Sequence, residues 1–459
     1  MKITLILPAR QDDFGKIGQA SMSPPVGITR LAGLVPEGTE VKLVDMLSND
    51  KVDYKESVDL VGLTVRTPTA AAAYQIADRF RSKGVPVVLG GPHASVVPLD
   101  AAQHADAVVV GEAETTWPRL LEDFKDGNLK QYYVCGPLKF DPGDSTLYHE
   151  AEFPSLNGLP IPRNELLPEG RRYIMDTVFT TRGCPFDCSF CPVSNLFGRG
   201  LRHRPVEEVV EEVALMKNRI YFNVDDNAFG VPGDEEYYLE LFSELSKMKN
   251  RKSWTGLSGL GVVETPAGRE IVKLAVKSGM TSAMVGLESI SEEGLAQSNA
   301  ARKHSGNSDP TDIEKIVNAL NILREYGLFI YGWFIIGWDG DTKETYKSTI
   351  EFSKRAGIAP VLSNLYPLPG THCYDDFVKS GKMKPDLTWA DFTFDGSNIL
   401  YYHPNLSEQE MVTTLRTCMR QAYSLPLMLK RSIDFTIRRP RPTSFPMAMM
   451  MQKAVMKIF

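Results

Sequence analysis

Short apolar runs alternate with amphipathic stretches through the first quarter of the chain. Runs at 3–7, 40–44, 60–65, 85–89 and 107–110 have the length and composition of strands. Between them the apolar positions take helical spacing, most clearly at 70–82 and 115–125. Strands separated by helices call for right-handed βαβ crossovers and a parallel sheet. Residues 1–128 are therefore expected to form a flavodoxin-like, doubly wound α/β domain. In such sheets a ligand lies beyond the carboxyl ends of the strands. Those ends read Ala9-Arg10, Arg66-Thr67-Pro68, Gly90-Gly91-Pro92-His93 and Gly111-Glu112. Gly and Pro there let backbone approach a ligand, which makes Thr67, Gly90, Gly91 and Gly111 candidate contacts. The plainer alternative is that they are ordinary βα turns.

Residues 129–172 carry many prolines without sustained periodicity and read as a linker. A second βα rhythm then runs through 173–371. Strand patterns at 173–181, 220–224, 254–257, 282–287, 329–336 and 360–365 alternate with helical ones at 205–217, 235–249, 267–277, 311–326 and 343–356. Six units fall short of the eight that close a full barrel, and function in barrels sits at the C-terminal strand ends. Asp225-Asp226-Asn227 end the second strand, against the alternative of a polar helix-capping turn. Glu288 ends the fourth, where Ser289 or Ser291 could equally cap the next helix. The fifth carries Gly332 and Gly337. From 372 to 459 the rhythm fades into an extension that is helical at 408–429. It ends basic and rich in Met and Phe.

Composition narrows the class. A chain of 459 residues exceeds one ordinary domain. Its 43% hydrophobic and 24% charged content is that of a globular protein, and a net charge of −6 gives no reason to expect nucleic acid as a partner. Six cysteines in so long a chain are no disulfide framework and point to a reducing compartment. The N-terminal apolar run is too short for a signal peptide, and no run of about 18 apolar residues exists. A cytoplasmic location is expected, with peripheral contact to an anionic membrane as a further option for the basic, apolar tail.

The chemistry concentrates in Thr180-Thr181-Arg182-Gly183-Cys184-Pro185-Phe186-Asp187-Cys188-Ser189-Phe190-Cys191-Pro192. Thiolates at C-x3-C-x2-C spacing can converge on one iron–sulfur cube, and no fourth cysteine lies nearby in sequence. A zinc loop is the alternative, but only His203 offers a fourth ligand in the region. This loop resembles that of the radical S-adenosylmethionine (SAM) superfamily. The resemblance implies that Cys184, Cys188 and Cys191 hold a 4Fe–4S cluster whose open iron takes SAM. It also implies cleavage of SAM to a 5′-deoxyadenosyl radical. Phe190, before the third cysteine, is then expected near the adenine, with Asp226, Asn227, Glu288, Gly332 and Gly337 seating SAM in a partial (β/α)6 barrel.

A flavodoxin-like domain ahead of this loop is similar to the cobalamin-binding class of that superfamily. That class includes methyltransferases and the anaerobic magnesium-protoporphyrin ester cyclases. The segments Ser23-Pro24-Pro25-Val26-Gly27-Ile28, Gly90-Gly91-Pro92-His93 and Val110-Gly111-Glu112-Ala113-Glu114 carry the likeness. One departure stands out: Asp45-Met46-Leu47-Ser48-Asn49-Asp50 lacks the histidine and glycine of the Asp-x-His-x-x-Gly loop that ligates cobalt in many cobalamin proteins. Cobalamin is expected without that ligand, and His93 is read as a turn residue rather than its substitute. The resemblance implies cobalamin-dependent C-methylation of a hydrophobic small molecule, fed by a low-potential donor such as a flavodoxin or ferredoxin. A radical cyclase is the alternative within the class, and a non-catalytic iron–sulfur carrier or sensor the alternative outside it. A methylthiotransferase is disfavoured because no cysteine precedes Cys135.

Overall fold

The computed structural model describes all residues except 11–22, 138–139, 168–172, 228, 230–232, 301–311, 394–397 and 457–459. Thr311 of the expected fourth barrel helix and residues 457–459 of the basic tail thus lie outside the described residues.

The first sheet contains β1 (Lys2–Leu7), β2 (Glu40–Asp45), β3 (Leu60–Thr64), β4 (Val87–Gly90), β5 (Ala107–Val110), β6 (Tyr132–Cys135) and β7 (Leu147–Glu150). All are parallel, in the order β2-β1-β3-β4-β5-β6-β7. Helix Ala70–Arg81 buries Ala73, Ile76, Ala77 and Phe80 on one side. Helices Val26–Gly33 and Thr116–Lys125 bury Ile28, Ala32, Trp117, Leu120 and Leu121 on the other. The chain reverses its direction of growth between β1 and β3, which opens a crevice at their carboxyl ends. The last two strands come from the stretch expected to be linker. Each is only four residues long, and the edge strand β7 is nowhere fully buried, so neither left a readable period.

The second sheet is also wholly parallel, in the order β15-β14-β13-β12-β11-β8. Its strands are β8 (Asp176–Val178), β11 (Ile220–Asn223), β12 (Ser253–Ser258), β13 (Met280–Glu288), β14 (Phe329–Ile336) and β15 (Ala359–Asn364). Each new strand adds on the same side of the last. Right-handed crossovers then place every helix on one face, and the other face curls inward as the wall of an open barrel. Phe334 faces out and packs edge-on against Phe352 of helix Lys343–Ala356. By alternation its neighbour Trp333 faces inward. Between the first two barrel strands, β9 (Thr181–Arg182) and β10 (Arg202–His203) pair antiparallel and clasp the two ends of the cysteine loop.

The C-terminal extension forms helices Glu408–Ala422, Leu425–Arg438 and Ser444–Met456. The expected single helix over 408–429 breaks at Ser424, with Pro426 in the first turn of the next. Arg439 donates to the carbonyls of Met280 and Gly327 at 3.0 and 3.3 Å, and Arg431 to that of Ile358 at 3.4 Å. Those carbonyls begin or precede β13, β14 and β15, so the last two helices cap the N-terminal end of the barrel, opposite its mouth. Among the described residues no helix is long and apolar enough to cross a membrane.

Buried ion pairs tie the two sheets together. Glu212, on helix Val206–Leu215, accepts from Arg204 at 2.9 Å and from Arg30 of the first domain at 3.1 Å. All three side chains are almost fully buried. Glu212→Ala leaves two buried guanidiniums without their counter-charge. We expect a loss of about 3–5 kcal/mol on urea unfolding. Glu351→Ala, which breaks an exposed pair with Lys354, should cost under about 1 kcal/mol. Equal losses would mean that this clamp does not hold the domains together.

Candidate active site

The cysteine loop is held at the C-terminal edge of the barrel by contacts from distant strand ends. Gly183 takes φ +95°, and a Cβ there would stand 2.2 Å from the Gly200 carbonyl oxygen. Only glycine permits this fold-back. It brings the Cys184 amide to Gly198 O at 3.1 Å. Ser189 donates its amide to Ser298 O and its hydroxyl to Gln297 O, both at 2.8 Å, beyond the end of β13. The Cys373 amide donates to Ser189 O at 2.8 Å, beyond the end of β15. Cys188 is buried, and Cys184 and Cys191 are half-buried.

The fold thus brings a fourth cysteine beside the loop, which spacing along the chain did not reveal. Cys373 is a buried core residue, and burial pushes its thiol up to about 12. The loop supplies three thiols and leaves the fourth corner of a cube to another ligand.

Some buried polar groups near this end of the barrel have no partner among the described residues. Asn227 is 2% exposed, and neither its amide oxygen nor its amide nitrogen is hydrogen-bonded. Asn364, at the end of β15, faces outward like Phe334 and accepts from Tyr346 of helix Lys343–Ala356 at 2.6 Å, so it belongs to the helix–sheet packing. Trp338, just past β14, leaves its indole N–H unused, with its ring 6.2 Å from that of Phe190. Such buried groups are rare unless a ligand completes them. A ligand carrying amino, carboxylate, ribose and adenine functions, as SAM does, matches this set. Trp338 escaped the sequence reading because an indole just past a strand end has no distinctive spacing.

The remaining expected SAM contacts divide. Glu288 is nearly buried at the mouth and adopts φ +54°, where the pairing of β13 with β14 slips register. A non-glycine residue held there is strained backbone of the kind found at functional sites. Ser291, not Glu288, caps the following helix. Asp226 is half-buried beside Asn227. Asp225 is structural: it accepts the amides of Thr180 and Thr181 at 2.6 and 3.0 Å, and burial raises its pKa against those bonds.

At both glycines the space a side chain would take is filled by protein. A Cβ on Gly332 would meet Ile358 and Leu287, and one on Gly337 would meet the Tyr401 hydroxyl at 2.2 Å and Met411. On the inward face, Trp333 is 44% exposed although β14 lies between two other strands, and half-buried Met284, Leu257 and Ile335 lie along the same wall. Ser363, Thr255 and Ser282 share that face, so the inward wall is an apolar patch of Trp333, Met284, Leu257 and Ile335 bordered by hydroxyls.

At the first sheet, Thr67, Gly90, Gly91 and Gly111 all lie at the carboxyl edge. Gly91 takes φ +94° because a Cβ there would meet the Val65 backbone at 2.9 Å, so β3 rather than a ligand demands the glycine. The Gly111 amide donates to Ser95 at 2.9 Å. Asp45 caps its own loop, accepting from Leu47 and Ser48, and also takes the Tyr173 hydroxyl at 3.0 Å. His93 is fully buried, with one ring nitrogen 3.0 Å from the Tyr74 hydroxyl and the other 3.2 Å from Thr67. Neither nitrogen is spare for a metal. Neither the loop after β2 nor His93 thus offers a spare imidazole at this edge.

Residues Trp389–Asp391 and Phe392 bridge from the extension to this edge. Trp389 donates to Asp100 at 2.8 Å and meets the His93 ring edge-on, Arg10 donates to Phe392 O at 3.1 Å, and Phe392 packs edge-on against Tyr366 beyond β15.

Comparison with known proteins agrees with this geometry. The Radical SAM superfamily model matches residues 178–353 and the B12 binding domain model residues 20–121. The bacteriochlorophyllide d C-8(2)-methyltransferase of Chlorobaculum tepidum is 31% identical over 376 residues, covering 76% of this chain and 75% of that protein. The hopanoid C-2 methylase of Rhodopseudomonas palustris is 25% identical over 90% of this chain and 73% of its own length. Among solved structures, the radical SAM methyltransferase TsrM of Kitasatospora setae, with cobalamin and a [4Fe-4S] cluster bound, shares the fold at TM-score 0.67. It is 16% identical and covers 97% of this chain and 99% of its own.

His93 also gives a pH test of the interface it sits in. Burial lowers its pKa from 6.5 to about 4, so the folded protein keeps it neutral where the unfolded chain protonates it. The unfolded state then binds more protons between those values, and stability rises with pH across the window. We expect up to roughly 3 kcal/mol of such dependence in urea titrations. His93→Phe should flatten it, and an unchanged slope would place the titration elsewhere.

Proposed function

The chain belongs to the radical SAM superfamily, in the class with an N-terminal B12-binding domain, and we propose that it C-methylates a hydrophobic small molecule held in the barrel interior. It is an enzyme of cobalamin-dependent radical SAM methylation. The observation that carries the substrate reading is the inward-facing wall of Trp333, Met284, Leu257 and Ile335 directly beneath the polar rim.

When bound, the cluster and cobalamin supply one-electron cleavage of SAM and the methyl group to be transferred. Cys184, Cys188 and Cys191 would hold the cluster. Asn227, Trp338 and Glu288 would orient SAM, the first two with buried side-chain groups that have no partner among the described residues. Phe190 and the Trp338 ring screen that side of the loop from water. The edge at Arg10, Arg66 and Thr67 would carry the corrinoid. Arg182, joined to Glu112 and Glu114 of the first domain, would fix its approach to the loop. The named activities of the relatives, on a bacteriochlorophyllide and on a hopanoid, fit a large apolar acceptor. A low-potential donor such as a flavodoxin or ferredoxin completes the reaction, and contact of the C-terminal helices with a membrane belongs to the same reading.

The test uses protein purified without oxygen and reconstituted with iron, sulfide and hydroxocobalamin. We expect stoichiometric corrinoid and reductant-dependent release of 5′-deoxyadenosine from SAM. Single Cys→Ala changes at 184, 188 and 191 should abolish that release and the iron–sulfur absorbance while sparing bound corrinoid. Deoxyadenosine that persists in all three variants would refute the assignment.

With a bacteriochlorophyllide or a hopanoid as acceptor, Trp333→Ala should lower methylation at least about ten-fold while leaving deoxyadenosine formation in place. Parallel loss of both would mean that Trp333 serves the fold rather than the substrate.

A further inference from the structure

Helix Leu425–Arg438 buries Met428, Arg431, Ser432 and Phe435 against the end of the barrel. Its opposite side carries Leu425, Leu429, Ile433 and Ile437 at four-residue spacing, one continuous row on a helix. Leu425, Ile433 and Ile437 are 61, 51 and 74% exposed. Leu429, Ile433 and Ile437 line a shallow groove with Pro426, Lys430 and Asp434. Helix Ser444–Met456 is apolar on nearly every side and adds exposed Phe445, Met450 and Met456. Nothing among the described residues covers this row.

The charges on these helices run against those of the whole chain. The chain is net −6, yet exposed Lys430, Arg441 and Lys453 form no ion pair among the described residues. The one acid of this region, Asp434, is already paired with Arg438 and Arg324. A two-fold contact between copies would bring these unpaired cations together. An anionic surface would be attracted by them while receiving the aliphatic row.

We propose that the outer face of helices Leu425–Arg438 and Ser444–Met456 docks on a bilayer bearing anionic headgroups. The aliphatic row enters the headgroup–acyl boundary, and Lys430, Arg441 and Lys453 meet the phosphates. The inference deepens, and rests on, the membrane contact included in the reading above. Because these helices cap the N-terminal end of the barrel, docking holds the mouth on the far side from the bilayer. The face therefore concentrates the enzyme at the membrane and does not feed substrate directly into the barrel.

The test is co-sedimentation of the full-length reconstituted holoenzyme with vesicles of phosphatidylcholine alone, or of phosphatidylcholine with one third phosphatidylglycerol. Binding is expected to the mixed vesicles only and to weaken with salt. Lys430→Glu should weaken it by about five-fold or more, and Ile433→Asp with Ile437→Asp should abolish it. Deoxyadenosine formation should be unchanged in both variants, which shows that they fold. Three results would overturn the proposal: no binding to either vesicle, binding indifferent to these substitutions, or a concentration-dependent dimer that the same substitutions dissolve. Wild-type protein that binds mixed vesicles yet forms no deoxyadenosine would leave the docking face standing and remove the catalytic reading instead.

Discussion

Glu112 is the buried acid that joins the first domain directly to the strands holding the cysteine loop. Its carboxylate, almost wholly buried, takes Arg182 at 2.6 Å and Arg202 besides, two guanidiniums from the adjacent strands that clasp the cysteine loop. Without that shared acid, Arg182 and Arg202, which are register partners, would repel each other. Glu114 adds a second carboxylate on Arg182 at 2.5 Å. Burial works against its ionisation, but the guanidinium outweighs it and holds its pKa below the usual range. Phe179 lies at the centre, with Arg30, Arg182 and Arg204 within 4.5–5.1 Å of its ring. Charges this deep survive only when paired, so the pairing fixes where the carboxyl edge of the first sheet stands relative to the cysteine loop.

That constraint gives the architecture its chemical sense. Both sheets are parallel and present their useful ends in one direction. Glu112 follows the end of β5, and Arg182 stands two residues before Cys184. The segment at Trp389 and Phe392 closes a second bridge between the same two edges. A group at the first sheet and one at the cysteine loop are thus brought toward a common space above the apolar patch of the barrel wall. Methyl transfer between them asks for that juxtaposition.

Much of this was legible along the chain. The rhythm of apolar runs gave both parallel sheets, because buried parallel strands and amphipathic helices differ in period. The cysteine loop was legible because three thiols serving one cube must be close in sequence. The strands β6 and β7 were not, since four residues at the margin of a sheet carry too little pattern. Gly332 and Gly337 were legible as positions that exclude a side chain, but which protein groups crowd them was not, because Ile358, Leu287, Tyr401 and Met411 come from separate elements.

What the sequence determined by itself is the local material: the period of each element, the order of the βα units, the three-thiol loop and the absence of a histidine after β2. These follow from spacing over a few residues. The tertiary structure alone decided which acid receives Arg182, that the buried core thiol of Cys373 lies beside the loop, and that the side-chain amide of Asn227 has no partner among the described residues. It also decided that the basic, apolar tail caps the barrel at the end away from the mouth. Each of these depends on groups far apart in the chain being buried together. Burial sets their charge and hydrogen bonding, and no local pattern of residues records it.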